Sequence, residues 1–114
     1  MKEITARELA TAFEGILTEV SPIDYYGITF EMSKARIEYN EEDKELCFTT
    51  GNYNKDGIGS VIIKEVRIDT IEHDEETDEY VISFEDSDCI PDVTVSRFKD
   101  LAKLEKECAG RKQQ

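Results

Sequence analysis

The segment Asn52–Gly57 resembles the first half of a calcium-binding loop. It reads N-Y-N-K-D-G, with oxygen-bearing side chains at positions 1, 3 and 5 and glycine at position 6. Position 12, which needs a bidentate carboxylate, is Ile63, and Glu65 comes two residues too late. We therefore expect an ordered turn, in which Asn and Gly supply positive φ angles, rather than a complete calcium site.

His73 is the only histidine, and its neighbours in sequence are acidic. Such carboxylates could join it in a metal site, but a polar run between two apolar segments predicts a surface histidine in a turn. The chain has no second histidine, no nucleophile elbow and no glycine-rich phosphate loop. We accordingly predict no catalytic, cofactor or metal site, and no enzyme.

The three cysteines, Cys47, Cys89 and Cys108, are odd in number and far apart. This spacing gives neither a disulfide framework nor a zinc or redox motif. It favours free thiols in a reducing cytoplasm. The start of the chain lacks the pattern of a secretory signal, and no apolar run approaches the ~20 residues that span a bilayer, so we expect a cytoplasmic protein.

Net charge is −13, and most of it comes from one quarter of the chain. Residues 68–96 contain no Lys or Arg, whereas their acidic residues are Asp69, Glu72, Asp74, Glu75, Glu76, Asp78, Glu79, Glu85, Asp86, Asp88 and Asp92. This charge opposes direct binding to nucleic acid or to an anionic membrane, because phosphate binding requires cations. It favours a basic partner or divalent cations.

A helix is predicted at about residues 6–19. Thr5 and Glu8 have the spacing of a capping box, and apolar residues then recur at helical spacing until Ser21-Pro22. A second helix is predicted at about residues 97–109, followed by a disordered tail at 111–114.

Strands are predicted between the two helices. Apolar residues alternate at 28–32, and a hairpin with a polar turn at 40–44 follows. The run 61–63 predicts a strand buried on both faces, the polar run 73–78 a second turn, and 80–84 a returning strand. A short edge strand is predicted at 93–95.

These elements predict a single α+β domain covering residues 1–114. An N-terminal helix, an antiparallel meander of five to six strands and a C-terminal helix would follow one another. Both helices would pack on one face of the sheet.

The acidic hairpin is the predicted functional surface. Alternate strand residues lie roughly 6.6–6.8 Å apart on one face, so an extended Glu72–Glu76 segment would present a row of carboxylates. We expect these to bind Lys and Arg on a basic protein surface. One use is to mimic nucleic acid, as small acidic inhibitors from phages and mobile elements do. The predicted partner-binding residues are Glu72, Asp74, Glu75, Glu76, Asp78 and Glu79.

Three other interpretations stay open at this stage. The acidic hairpin could be a solvated surface that blocks edge-to-edge pairing. The protein could be a small-molecule or cation-binding module that uses the 52–57 loop or the acidic cluster. A small hydrolase built on a carboxylate pair is the minor alternative.

Overall fold

A computed structural model of the chain describes residues 1–25, 28–57, 59–85 and 90–99. Eight strands dominate this part of the chain. They are β1 (Lys2–Ile4), β2 (Thr18–Tyr25), β3 (Ile28–Asn40), β4 (Glu45–Thr50), β5 (Ser60–Lys64), β6 (Ile68–Asp74), β7 (Glu79–Phe84) and β8 (Val93–Arg97). The helices are α1 (Ala6–Ala12) and α2 (Tyr53–Asp56), and a turn of 3-10 helix covers Glu65–Arg67.

The strands form one antiparallel sheet in the order β1-β6-β7-β8-β2-β3-β4-β5. Two meanders make up this order, one from β2 to β5 and one from β6 to β8. Pairing of β8 with β2 joins the meanders, and β1 pairs with the free side of β6. The two hairpins predicted around residues 40–44 and 73–78 are confirmed, as the β3–β4 and β6–β7 pairs.

A single hydrophobic core lies between α1 and the inward face of the sheet. Leu9 and Phe13 belong to one buried cluster with residues of both meanders, including Phe48 of β4 and Ile82 of β7, and all four side chains are fully buried. Because strands near both ends of the sheet contribute to one cluster, the sheet curls around α1. The predicted α+β fold with an N-terminal and a C-terminal helix packed on five to six strands is therefore wrong. The described chain is mostly an eight-stranded antiparallel sheet with one short helix, α1, and a single helical turn, α2.

The helix begins where the sequence predicts it. The Thr5 hydroxyl accepts a hydrogen bond from the Glu8 backbone N–H at 3.1 Å, and the Glu8 carboxylate accepts one from the Thr5 N–H at 3.0 Å. These two bonds confirm the capping box.

The helix ends seven residues earlier than the predicted position 19. The chain turns after the C-cap residue Phe13, and Gly15 in this turn has a φ of +73°, a left-handed conformation that glycine adopts without strain. Of the apolar residues beyond it, Ile16 and Leu17 lie in the connection to β2, and Val20 lies in β2, where it is buried together with Thr18 two positions earlier. Their spacing fits a strand as well as a helix, which is why the sequence pattern overestimated the helix.

Two strand predictions are also wrong in their placement. The 61–63 run lies in β5, which pairs with β4 alone among the described strands, and Ile62 is 58% exposed rather than buried on both faces. The segment predicted as an edge strand is β8, which lies inside the sheet between β7 and β2. The second neighbour of β8, β2, comes from a distant part of the chain, and β5 has no second neighbour among the described strands. Whether a strand has one neighbour or two depends on the order of the whole sheet, which local pattern does not encode.

The C-terminal helix predicted at 97–109 does not start there. Arg97 is the last residue of β8, and Phe98 and Lys99 have no helical structure. Residues 100–109 and the predicted tail at 111–114 lie outside the described residues.

Candidate functional site

The acidic hairpin consists of β6, β7 and the 75–78 turn that joins them. Its strands place His73 opposite Tyr80 and Asp74 opposite Glu79. The six predicted partner-binding residues lie in three parts of this hairpin. Glu72, Asp74 and Glu79 lie on the strands, Glu75 and Glu76 are exposed in the turn, and Asp78 closes the turn.

Carboxylates accumulate on the outward face of this half of the sheet. Glu3 of β1 is directly opposite Glu72, and Asp74 is directly opposite Glu79. Successive side chains of a strand point to opposite faces, and directly opposed residues share a face. These carboxylates therefore point away from the core residues Ile71 and Ile82. We define the acidic face as Glu3, Glu72, Asp74 and Glu79, together with Glu75 and Glu76 of the turn.

No cation occupies this face in the described part of the chain. The other outward positions of β6, β7 and β8 are Thr70, Val81, Ser83, Thr94 and Ser96. Like charges directly opposite each other in a sheet are destabilising, by up to about 1 kcal/mol per pair. The acidic face contains two such pairs and no internal compensation for either.

The predicted carboxylate row stops at the end of β6. Glu72 and Asp74 are two residues apart on that strand, but Glu76 lies in the turn, where its backbone N–H donates to the Asp74 side chain at 3.1 Å. The carboxylates therefore spread across three neighbouring strands and the turn, as a patch rather than a line.

Asp78 differs from the other five residues because side chains of the described residues, His73 and Arg97, bond to its carboxylate. It has a φ of +57°, and its two carboxylate oxygens accept hydrogen bonds from His73 Nε2 at 3.0 Å and Arg97 Nε at 2.8 Å. These bonds, chiefly the one from Arg97, hold the pKa of the Asp78 carboxyl below its ordinary value. An ionised carboxylate only accepts hydrogen bonds, so His73 Nε2 carries a proton.

Aromatic contacts fix this cluster to the core. The His73 ring stacks on Tyr80 with centroids 4.1 Å apart, and Tyr80 meets Phe13 edge to face at 5.1 Å. The Arg97 guanidinium lies 5.5 Å from the Phe13 ring centroid. Burial raises the pKa of the Tyr80 phenol, and the negative charge of Asp78 adds to this effect.

His73 is thus a half-buried residue rather than the surface histidine that the sequence predicted. One signal could have revealed it: His73 follows Ile71 by two positions, which puts both on the inward face of β6. An imidazole held by a carboxylate also occurs in catalytic triads. However, His73 bonds to no hydroxyl or thiol within the described residues, so the nucleophile of such a triad is missing from this part of the structure.

The 52–57 segment forms one helical turn, α2, instead of a calcium loop. The Asp56 carboxylate lies 4.0 Å from Lys34 Nζ. Gly57 has a φ of +101°, and a Cβ there would clash with the Glu31 backbone oxygen, so glycine is required for close packing against β3. Residues 1–25, 28–57, 59–85 and 90–99 contain no group of three His, Cys, Asp or Glu residues that could hold a metal ion.

Cys47 is a free, half-buried cysteine on the outward face of β4. Burial raises the pKa of its thiol, and nearby carboxylates, first that of Glu45, raise it further. This environment disfavours the reactive thiolate. Cys89 and Cys108 lie outside the described residues.

Comparison with known protein families, curated proteins and solved structures finds no match to this chain. Among the helices of the described residues, none has the length and apolar character to cross a membrane.

Proposed function

We propose that the protein is a non-enzymatic interaction protein whose acidic face binds a basic surface on another protein. One observation carries this proposal: the face contains two directly opposed carboxylate pairs and, among the described residues, no Lys or Arg. Lys or Arg side chains of a partner would replace the repulsion within each pair by attraction. The face would thereby become more favourable in the complex than in the free protein.

The whole-molecule charge supports the same class of partner. A net charge of −13 attracts basic surfaces over several ångströms and repels phosphate-rich ones. A surface that normally binds nucleic acid is basic, so competition with nucleic acid for such a surface is one form that this function would take. A reducing compartment such as the cytoplasm suits the free Cys47 thiol.

The test compares two variants with the same change in charge. Glu72→Gln/Glu79→Gln removes one member of each opposed pair, while Glu31→Gln/Glu42→Gln neutralises two exposed carboxylates elsewhere. A partner is captured with the wild-type chain, identified, purified and titrated against all three proteins at several salt concentrations.

We expect the acidic-face variant to bind about tenfold more weakly and the control within about twofold of wild type. The affinity of the wild-type protein should fall as salt rises, because screening weakens attraction between exposed charges. Equal binding by the acidic-face variant, or binding that is independent of salt, would show that this face is not the docking surface.

A further inference from the structure

A groove of about 970 Å³ lies on the other half of the molecule, between α1 and the second half of β3. Pairing between β2 and β3 stops at Thr18 and Ala35. Beyond that point, residues 36–40 of β3 pair with β4 on one side only among the described strands. Residues 13–17, which connect α1 to β2, form the opposite wall.

The groove runs along the edge of β3 rather than over one of its faces. Successive side chains of a strand point to opposite faces, yet four consecutive residues, 36–39, line this groove. Only the backbone edge is common to all four. The groove therefore exposes main-chain groups of β3 where β2 would otherwise continue.

The hydrogen-bond pattern identifies which main-chain groups face the groove. Thr50 N–H donates to Gly59 O and Glu65 N–H donates to Lys44 O, each at 2.9 Å, so the even-numbered residues of β4 bond to β5. Antiparallel ladders alternate, so odd-numbered β4 residues bond to the even-numbered residues of β3.

The N–H and C=O groups of Ile37 and Tyr39 consequently point into the groove. No described residue on that side exchanges a hydrogen bond with them. Ile37 is only 6% exposed. Backbone N–H and C=O groups are strong hydrogen-bonding groups, and at this edge they have no partner among the described residues. The edge is therefore a ready site for another strand.

We propose that this groove binds an extended, basic peptide segment of a partner protein, which adds to β3 as a further strand. Main-chain bonds to Ile37 and Tyr39 would hold it, in the manner of β-strand addition. The 36–40 edge accommodates about five residues, or roughly 16 Å of extended chain.

Charge and apolar contacts define the peptide. Glu14, Glu38 and Arg36 line the groove without an ion pair to any described residue, whereas Arg7 and Glu41, which also line it, pair with each other. Unpaired carboxylates therefore outnumber unpaired cations in this lining by two to one. Lys or Arg of the peptide would pair with the two free carboxylates. The net charge of −13 also favours a positively charged peptide. Apolar residues of the peptide would cover Leu17, which is 37% exposed. None of these residues belongs to the acidic face, so binding at the groove and binding at the acidic face can be tested independently.

The probe is an acetylated and amidated heptapeptide of alternating Lys and Val, added to the full chain. Amide hydrogen exchange, measured by NMR, reports on the edge directly. In the free protein, Ile37 and Tyr39 should exchange faster than Glu38 and Asn40, which bond to β4. At a peptide concentration of about ten times Kd, exchange at Ile37 and Tyr39 should slow about tenfold. The same peptide N-methylated at every residue should not protect these amides. It lacks the N–H groups that would donate to the carbonyls of Ile37 and Tyr39, so it should not bind as a strand.

Charge variants separate this groove from the acidic face. Glu14→Lys/Glu38→Lys should weaken heptapeptide binding at least tenfold, and the control Glu31→Lys/Asp69→Lys, with the same change in charge, much less. Glu72→Gln/Glu79→Gln should bind the heptapeptide within about twofold of wild type.

Three results would overturn the inference. The first is slow exchange at Ile37 and Tyr39 in the free chain, which would mean that the chain itself or a second copy covers the edge. The second is peptide binding that leaves both amides unprotected. The third is peptide binding lost in Glu72→Gln/Glu79→Gln but kept in Glu14→Lys/Glu38→Lys, which would place the peptide on the acidic face.

Discussion

Asp78 is the acidic residue of the hairpin whose role is structural as well as electrostatic. We predict that Asp78→Asn lowers the free energy of unfolding by about 0.5–1 kcal/mol at neutral pH. This figure is discounted because the Asp78 side chain is 46% exposed. Asn tolerates the left-handed backbone of this position, so the substitution tests charge rather than strain. Equal urea midpoints for both proteins would mean that the bonds to His73 and Arg97 contribute nothing.

The contacts of Asp78 with His73 and Arg97 also determine how the stability of the fold depends on pH. The pKa of folded Asp78 is below that of an unfolded Asp, which is about 3.9. The folded state therefore binds this proton less readily, and the stabilisation is present above the unfolded pKa. It is lost as pH falls through the lower folded pKa. The difference between wild type and Asp78→Asn should persist above about pH 5 and vanish in acid, whereas Glu75→Gln/Glu76→Gln should not destabilise at either pH.

Sequence pattern placed the six predicted partner-binding residues in one hairpin but did not reveal the separate role of Asp78. The left-handed turn and the His73 contact are local, and the period of two along β6 already places His73 inward. Arg97 is 19 residues away in β8, which approaches Asp78 only because β8 pairs with β7. That pairing depends on the order of the whole sheet, which local periodicity does not encode.

The N-terminus of α1 is the element whose start was predictable, because a capping box is local in sequence. We predict that Thr5→Ala lowers the free energy of unfolding by about 0.5–2 kcal/mol, the usual effect of losing an N-cap. Thr11→Ala is the matched control, since Thr11 lies within the helix and its hydroxyl only donates to the Arg7 carbonyl. It should change stability by less than about 0.5 kcal/mol in the same urea titration. Similar effects of the two substitutions on the free energy of unfolding would show that the Thr5 cap contributes no more than an ordinary helix residue.

The β1–β6 pair provides a direct test of repulsion within the acidic face. Glu72→Lys places a cation opposite Glu3 and beside Asp74, so we expect it to raise the free energy of unfolding by about 0.5–1 kcal/mol at low salt. Screening should reduce this gain at high salt. Glu31→Lys, on the opposite half of the sheet, provides the control. A loss of stability in Glu72→Lys alone would mean that Glu72 makes a favourable contact that the lysine breaks.

Elements with their own local signals were predicted, and elements that depend on distant neighbours were not. Both hairpins carry polar turns between alternating segments, and both form. By contrast, β1 is only three residues long, and it is a strand because β6 is beside it. The groove along β3 could not be predicted from the sequence pattern either. It exists because residues 15–17, which precede β2, do not pair with β3.

At the scale of the whole molecule, the fold and the proposed binding should respond to salt in opposite directions. A chain with a net charge of −13 repels itself, and its opposed pairs Glu3–Glu72 and Asp74–Glu79 concentrate that repulsion. We predict that raising NaCl from about 10 mM to about 0.5 M increases the melting temperature, because the Debye length falls from about 30 Å to less than 10 Å.

The melting temperature of Glu72→Gln/Glu79→Gln should rise less with salt than that of Glu31→Gln/Glu42→Gln, although both carry the same net charge. Over the same range, affinity for a basic partner should fall, since the screening that relieves repulsion within the face also weakens its attraction to Lys and Arg. A melting temperature that decreases with salt would contradict this account. It would mean that favourable ion pairs, such as Arg97–Asp78 and Arg7–Glu41, outweigh the repulsion between carboxylates.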